Sequence, residues 1–102
     1  MILYNITYNI DRVTDGEWKT WLKETYLPRV MSTGCFRSYK VYRMLNEEDD
    51  HSINYAVQFL SDSLVELNDY LQSYAPSIAA ELQMKFRHRH VAFMSVLQDT
   101  GL

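Results

Sequence analysis

With 102 residues, 47% of them hydrophobic and 23% charged, the chain has the length and make-up of one globular domain, expected to span 1–102 without linker, repeat or low-complexity run. A net charge of -3 and a pI near 5.5 argue against a generic phosphate-binding surface, and no apolar run approaches the roughly 20 residues that cross a bilayer, so neither nucleic acid nor membrane is expected as a partner. The single cysteine, Cys35, excludes an intrachain disulfide, and Met1 to Ile10 has neither the charged start nor the continuous apolar run of a signal peptide, which points to a reducing cytoplasm.

Met1 to Ile10 alternates as a strand, with Ile2, Tyr4, Ile6, Tyr8 and Ile10 on one face and Leu3, Asn5, Thr7 and Asn9 on the other. Thr14-Asp15-Gly16-Glu17 reads as a capping box that opens a helix carrying Trp18, Trp21, Leu22 and Thr25 at helical spacing. Pro28 lacks an amide and disfavours helical geometry at Leu27, so a kink or restart is expected before Val30 and Met31, with Gly34 as terminator. The kink frees backbone carbonyls near Glu24, Tyr26 and Arg29, a type of irregularity that often borders functional clefts.

Cys35 to Leu45 reads as a second strand, Asn46-Glu47-Glu48-Asp49-Asp50-His51 as a polar turn, and Ser52 to Leu60 as the returning strand of a hairpin. The returning strand repeats the split of the first, with Ile53, Tyr55, Val57 and Phe59 against Asn54, Ala56, Gln58 and Leu60. Ser63-Leu64-Val65-Glu66 is a second capping box, opening a helix whose Leu64, Leu67, Leu71 and Tyr74 face the core. Pro76 restarts it with Ile78, Leu82 and Phe86, and His90 to Leu97 closes the chain as a strand. The order βαββαβ is the ferredoxin-like α+β plan: a four-stranded antiparallel sheet with the first and third strands central and two helices on one face.

The Ile/Tyr/Val/Phe face then meets the helices and leaves Asn5, Thr7, Asn9, Asn54 and Gln58 on an open face. Uncharged amides and hydroxyls suit a half-desolvated contact, so this face is read as a homodimer surface. RNA-recognition domains share the plan but stack bases on aromatics of the third strand; the two stacking positions here hold Asn54 and Ala56, so RNA binding is not expected.

His88 and His90 stand two apart, a spacing that can ligate metal, but Lys85, Arg87 and Arg89 around them fit a cationic helix end better. His51 beside the acidic turn reads as solvated, so no metal and no cofactor is expected. Cys35 has no base assigned beside it and reads as a small core residue. With three glycines in the chain there is no phosphate loop or dinucleotide fingerprint, which removes kinase, NTPase and dehydrogenase readings. Tyr4, Tyr8 and Tyr55, with Trp18, Trp21 and His90, are the candidate lining of a small-molecule pocket between helices and sheet.

Met1-Ile2-Leu3-Tyr4-Asn5, the Trp18 to Trp21 helix, Leu27-Pro28-Arg29-Val30-Met31-Ser32-Thr33-Gly34, Tyr55-Ala56-Val57-Gln58, Ala75-Pro76 and Val91-Ala92-Phe93 resemble a family of small bacterial domains of unknown function that begin M-I-L-Y-N. More distantly the chain looks like the dimeric α/β-barrel superfamily. That resemblance implies sheets paired face to face, and its members include cofactor-free monooxygenases, isomerases and stress-response proteins. In the monooxygenases the pocket lies between sheet and helices. Two readings stand: a homodimeric small-molecule-binding or structural protein of unknown function, or a cofactor-independent monooxygenase- or isomerase-like enzyme acting on a small aromatic substrate, with a tyrosine or His90 as general acid or base.

Overall fold

The computed structural model describes residues 1–45, 51–87 and 90–102. The acidic turn read over residues 46–50 and His88 with Arg89 lie outside the described residues. Strand β1 (Ile2–Asp11) leads through a 3-10 turn, Arg12–Thr14, into α1 (Asp15–Trp21), a π-helical turn at Leu22–Tyr26 and α2 (Leu27–Ser32). Then follow β2 (Ser38–Arg43), β3 (Ser52–Ser61), α3 (Leu64–Ser73), α4 (Ala75–Lys85) and β4 (His90–Gln98). These strands pair antiparallel in the order β2-β3-β1-β4, so β1 and β3 are central.

The alternation in β1 and β3 has its expected consequence. Ile2, Tyr4, Ile6, Tyr8 and Ile10 are buried, as are Ile53, Tyr55, Val57 and Phe59, while the intervening residues are half-buried. The helices therefore cover the centre of one face and leave the edge strands β2 and β4 largely exposed. Trp18 is fully buried, with its ring 4.9 Å from Tyr55 and 5.3 Å from Tyr8. Such ring pairs add to area burial through the quadrupole attraction of offset and tilted faces.

Pro28 acts one turn earlier than its sequence position suggests. Its missing amide and its ring are incompatible with an ordinary α-turn to Glu24, and the helix widens just ahead of it: the Leu27 amide donates to the Leu22 carbonyl, five residues back. Gly34 ends the segment at φ 76°, in the left-handed region where glycine carries no Cβ penalty.

Three local expectations are corrected. Thr14 makes no side-chain cap; the chain enters α1 already turning, and the Thr14 hydroxyl is buried without a partner among the described residues. The second strand is shorter than Cys35 to Leu45, because Cys35 and Phe36 turn into the core before pairing begins at Ser38. In α3 the buried stripe is Leu67 and Tyr70 with Leu71 beside them, whereas Leu64 is 51% and Tyr74 38% exposed. Leu64 stands in the first turn, and Tyr74 sits at the break ahead of Pro76, where the chain leaves α3. The second capping box is present, Ser63 accepting from the Glu66 amide at 3.3 Å.

Ser63→Ala is expected to cost about 1 kcal/mol by removing a working cap, whereas Thr14→Val replaces a buried unpartnered hydroxyl by a methyl and leaves stability unchanged or higher. Urea unfolding of both variants measures the difference, and equal losses would show that Thr14 caps the helix.

Candidate functional site

A cavity of about 420 Å³ lies between the sheet and the helices, alongside the break from α3 to α4. Its sheet wall is Tyr4, Ile6 and Tyr8 of β1 with His90, Ala92 and Met94 of β4; Tyr26 enters from the π-helical turn and Tyr70 from α3. The register explains the sheet wall, since Tyr8 pairs with Ala92, Ile6 with Met94 and Ile10 with His90, and directly paired residues share a face. Small side chains on opposing walls, Ala75 and Ala79 of α4 and Ala92 of β4, leave unfilled the space that longer ones would occupy. Volumes of this order are ordinary for small-molecule pockets.

The polar atoms of this cavity are mostly phenols. The Tyr8 hydroxyl donates to that of Tyr26 at 3.3 Å, and the Tyr4 hydroxyl donates to the Met94 sulfur at 2.9 Å. Burial pushes Tyr8 up to about 12, slightly offset by its bond to Tyr26 and reinforced by Tyr4. Burial, then the neighbouring Tyr8 and Tyr70, holds Tyr26 well above the usual phenol range; burial with Tyr4 and Tyr8 raises Tyr70, and burial raises Tyr4. At neutral pH the cavity is thus lined by uncharged hydroxyls. His90 Nδ1 lies 3.0 Å from the Phe86 carbonyl, which can only accept, so Nδ1 is the donor of that bond and, in the neutral ring, Nε2 is the nitrogen with the lone pair.

Of the residues singled out in the sequence, Tyr4, Tyr8 and His90 come together on this cavity. The others pack beside it: Trp18 stacks on Tyr55, Trp21 lies 5.3 Å from Tyr26 and 5.5 Å from Phe86, and Tyr55 donates to Asp15 Oδ1 at 2.5 Å. Tyr26, noted in the sequence only as a neighbour of the kink, and Tyr70 line the cavity without having been counted among its candidate lining. The available signal was helical spacing, four residues beyond Leu22 and three beyond Leu67. Glu24 is exposed, and Arg29 pairs with Glu81 across to α4, so neither charged residue near the kink lines this cavity. Cys35 is buried with its sulfur 3.9 Å from Asp69 Oδ2 and 3.8 Å from the Thr33 carbonyl. Among the described residues no group of three or more His, Cys, Asp or Glu converges as a metal site, and no helix is long and apolar enough to cross a membrane.

On the opposite face Asn5, Thr7, Asn9, Asn54 and Gln58 share one surface. Their amides bond within it: Asn9 Nδ2 donates to Asn54 Oδ1 at 2.8 Å and to Ser52 Oγ at 2.9 Å, and Asn5 Nδ2 to Thr7 Oγ1 at 3.3 Å. Val91, Phe93 and Leu97 of β4 continue the same face and are about half or more exposed.

An open four-stranded antiparallel sheet in this order, with broken helices on one face and a phenol-lined cavity beneath them, defines a ferredoxin-like α+β protein. The chain belongs to the family described as "Domain of unknown function (DUF4286)", whose model matches residues 1–100. No curated protein matches it. Among solved structures it is similar to a dimeric ferredoxin-like protein from an uncultured marine organism, at 11% identity and TM-score 0.68, covering 98% of this chain and 95% of that one. It is also similar to the heme-degrader MhuD of Mycobacterium tuberculosis with two hemes bound in its active site, at 12% identity and TM-score 0.66, covering 98% and 96%. A third similar structure is a mutant of SnoaB, a cofactor-independent oxygenase from Streptomyces nogalater, at 9% identity and TM-score 0.63, covering 97% and 93%. At these identities the likeness is one of fold.

The raised Tyr8 has a stability consequence. Its folded-state value near 12 exceeds the unfolded value near 10, so its contribution is fully present below about pH 10 and is lost as pH rises towards 12. Ultraviolet titration checks this: at pH 11 the folded protein and Tyr8→Phe should show equal tyrosinate absorbance, and in urea the wild type should exceed the variant by close to one tyrosinate.

Proposed function

We propose that this protein is a homodimer that binds a small, largely apolar molecule in the cavity between β1, β4 and the α3–α4 break. The observation that carries the reading is the cavity itself, where an apolar wall surrounds a few placed hydroxyls and an imidazole of fixed tautomer. The candidate ligand contacts are Tyr4, Tyr8 and His90, joined by Tyr26 and Tyr70. Trp18, Trp21 and Tyr55 support the rings that face it.

The dimer face is the open side of the sheet, with Asn5, Thr7, Asn9, Asn54 and Gln58 at its centre and Val91, Phe93 and Leu97 along β4. The half-buried amides already bond to one another, so covering them strands few polar groups, while the exposed apolar side chains of β4 gain from leaving water. The dimeric marine protein of similar fold supports a dimer, and the proposed assembly is two sheets face to face as an α/β barrel. One domain spanning the chain, a cytoplasmic setting that keeps Cys35 reduced, and no role for nucleic acid complete the reading; Asn54 and Ala56 give the open face of β3 no stacking aromatic at those positions.

His90 favours a second reading, an enzyme that moves a proton on a small aromatic substrate without a bound cofactor. In the neutral ring Nε2 is the nitrogen that can take a proton, and the neutral phenols are acids or hydrogen-bond donors, which is the equipment of an isomerase or a cofactor-independent oxygenase. The fold likeness to SnoaB is consistent with it.

Native mass spectrometry of gently purified protein is expected to give a dimer, and a retained small molecule as added mass. Phe93→Asp, which puts a charge at the centre of the exposed β4 row, is expected to sediment as a folded monomer at micromolar concentration. A wild-type monomer in that experiment would overturn the dimer, and a cavity that binds no apolar probe would overturn the ligand site.

A further inference from the structure

Two phenolic hydrogens on the cavity wall are not taken up by a bond among the described residues. Tyr8 and Tyr26 share one hydrogen bond, so one of their two O–H hydrogens is unspent. Tyr4 commits its hydrogen to the Met94 sulfur. The Tyr70 hydroxyl finds no hydrogen-bond partner among the described residues, although its ring packs against Tyr4, Phe36 and Tyr74. Tyr26 and Tyr70 are 3% and 2% exposed, yet both line the cavity. Two phenolic donors on the cavity wall are therefore free to donate to a ligand. Both line the same cavity, and Tyr70 opposes ionisation of Tyr26.

The remaining walls limit what can answer those donors. Among the described lining residues there is no Asp, Glu, Lys or Arg; apart from His90 and the Gln83 amide the surround is aliphatic or aromatic. A carboxylate or phosphate brought here would lose its hydration against no fixed counter-ion, whereas a neutral carbonyl oxygen has two lone pairs for two phenols and little hydration to lose. Because burial keeps the phenols protonated far above neutral pH, they act as donors under all ordinary conditions.

We propose that the ligand of this cavity is a small cyclic ketone, its carbonyl oxygen accepting from the Tyr8–Tyr26 pair and from Tyr70 and its ring system lying against Ile6, Ile78 and Leu82. The assignment rests on the reading of the cavity as a ligand site, and it adds the chemistry of the ligand and the residues that select it. Tyr26 and Tyr70 are then specificity-determining residues, and the π-helical turn is the device that delivers Tyr26 to Tyr8.

Two probes of nearly the same shape test it: 1-tetralone and tetralin, titrated into the full-length protein and followed by the methyl resonance of Met94 at the cavity wall. The expected result is that 1-tetralone binds about tenfold or more tightly than tetralin. In Tyr26→Phe and in Tyr70→Phe that preference falls towards parity while tetralin affinity stays unchanged, which also shows that each variant keeps its packing. Equal affinities in the wild type overturn the ketone and leave the pocket standing. A preference that survives both substitutions overturns the assignment to these phenols. Binding of neither probe overturns the pocket reading and the ketone with it.

Discussion

The pairing of β1 with β3, ten residues in unbroken antiparallel register from Ile2 opposite Ser61 to Asp11 opposite Ser52, is the constraint on which the rest of the structure hangs. Directly opposed residues point to the same side, so two sequences that each alternate apolar and amide residues produce one largely apolar face and one amide-rich face. A slip of one residue in either strand would drive Asn54 and Gln58 under the helices and Tyr55 and Phe59 into water. The side chains that must be buried outweigh any local preference, and the register is fixed by them.

The helix layer follows from that face but does not match its width. Its two helical segments are both broken, the first by the widened turn ahead of Pro28 and the second by the Tyr74–Ala75 break ahead of Pro76. Tyr26 and Tyr70 point inward close to these breaks, and between them and β4 the small residues of α4 leave a void. The cavity is thus made by backbone irregularity together with alanines, in a region where regular helices of leucine would have closed the core. Arg29, bonded to Glu81 and to Ser77, ties the segment after the first break to the one after the second, so the two irregular helices brace each other.

The two faces of the sheet are coupled through the same strands. Tyr8 lies between Ile10 and Ile6 under the helices while its neighbours Thr7 and Asn9 look the other way, and β4 carries His90, Ala92 and Met94 on the cavity side and Val91 and Phe93 on the open side. A molecule seated in the cavity and a second subunit on the open face would meet the same two strands from opposite sides. In the proposed dimer that geometry would give assembly and ligand binding a shared mechanical element without any residue serving both.

The sequence by itself determined the element order, the sheet face each residue of β1 and β3 takes, the working cap at Ser63 and the membership of Tyr4, Tyr8 and His90 on the helix side. These are properties of period and spacing, and period is local. Tertiary structure decided the rest. Thr14 looked like a cap, but the chain's entry into α1 from a 3-10 turn left its hydroxyl unused. Trp18, Trp21 and Tyr55 carry the same aromatic signal as Tyr4 and Tyr8, yet they fill space beside the cavity, because which rings meet and which face a void depends on where helix breaks fall relative to the sheet. Tyr26 and Tyr70 became cavity residues for the same reason: Tyr26 ends a π-helical turn and Tyr70 lies one turn ahead of the break at Tyr74, and where those breaks fall over the sheet is set by packing between elements far apart in sequence, which no local pattern encodes.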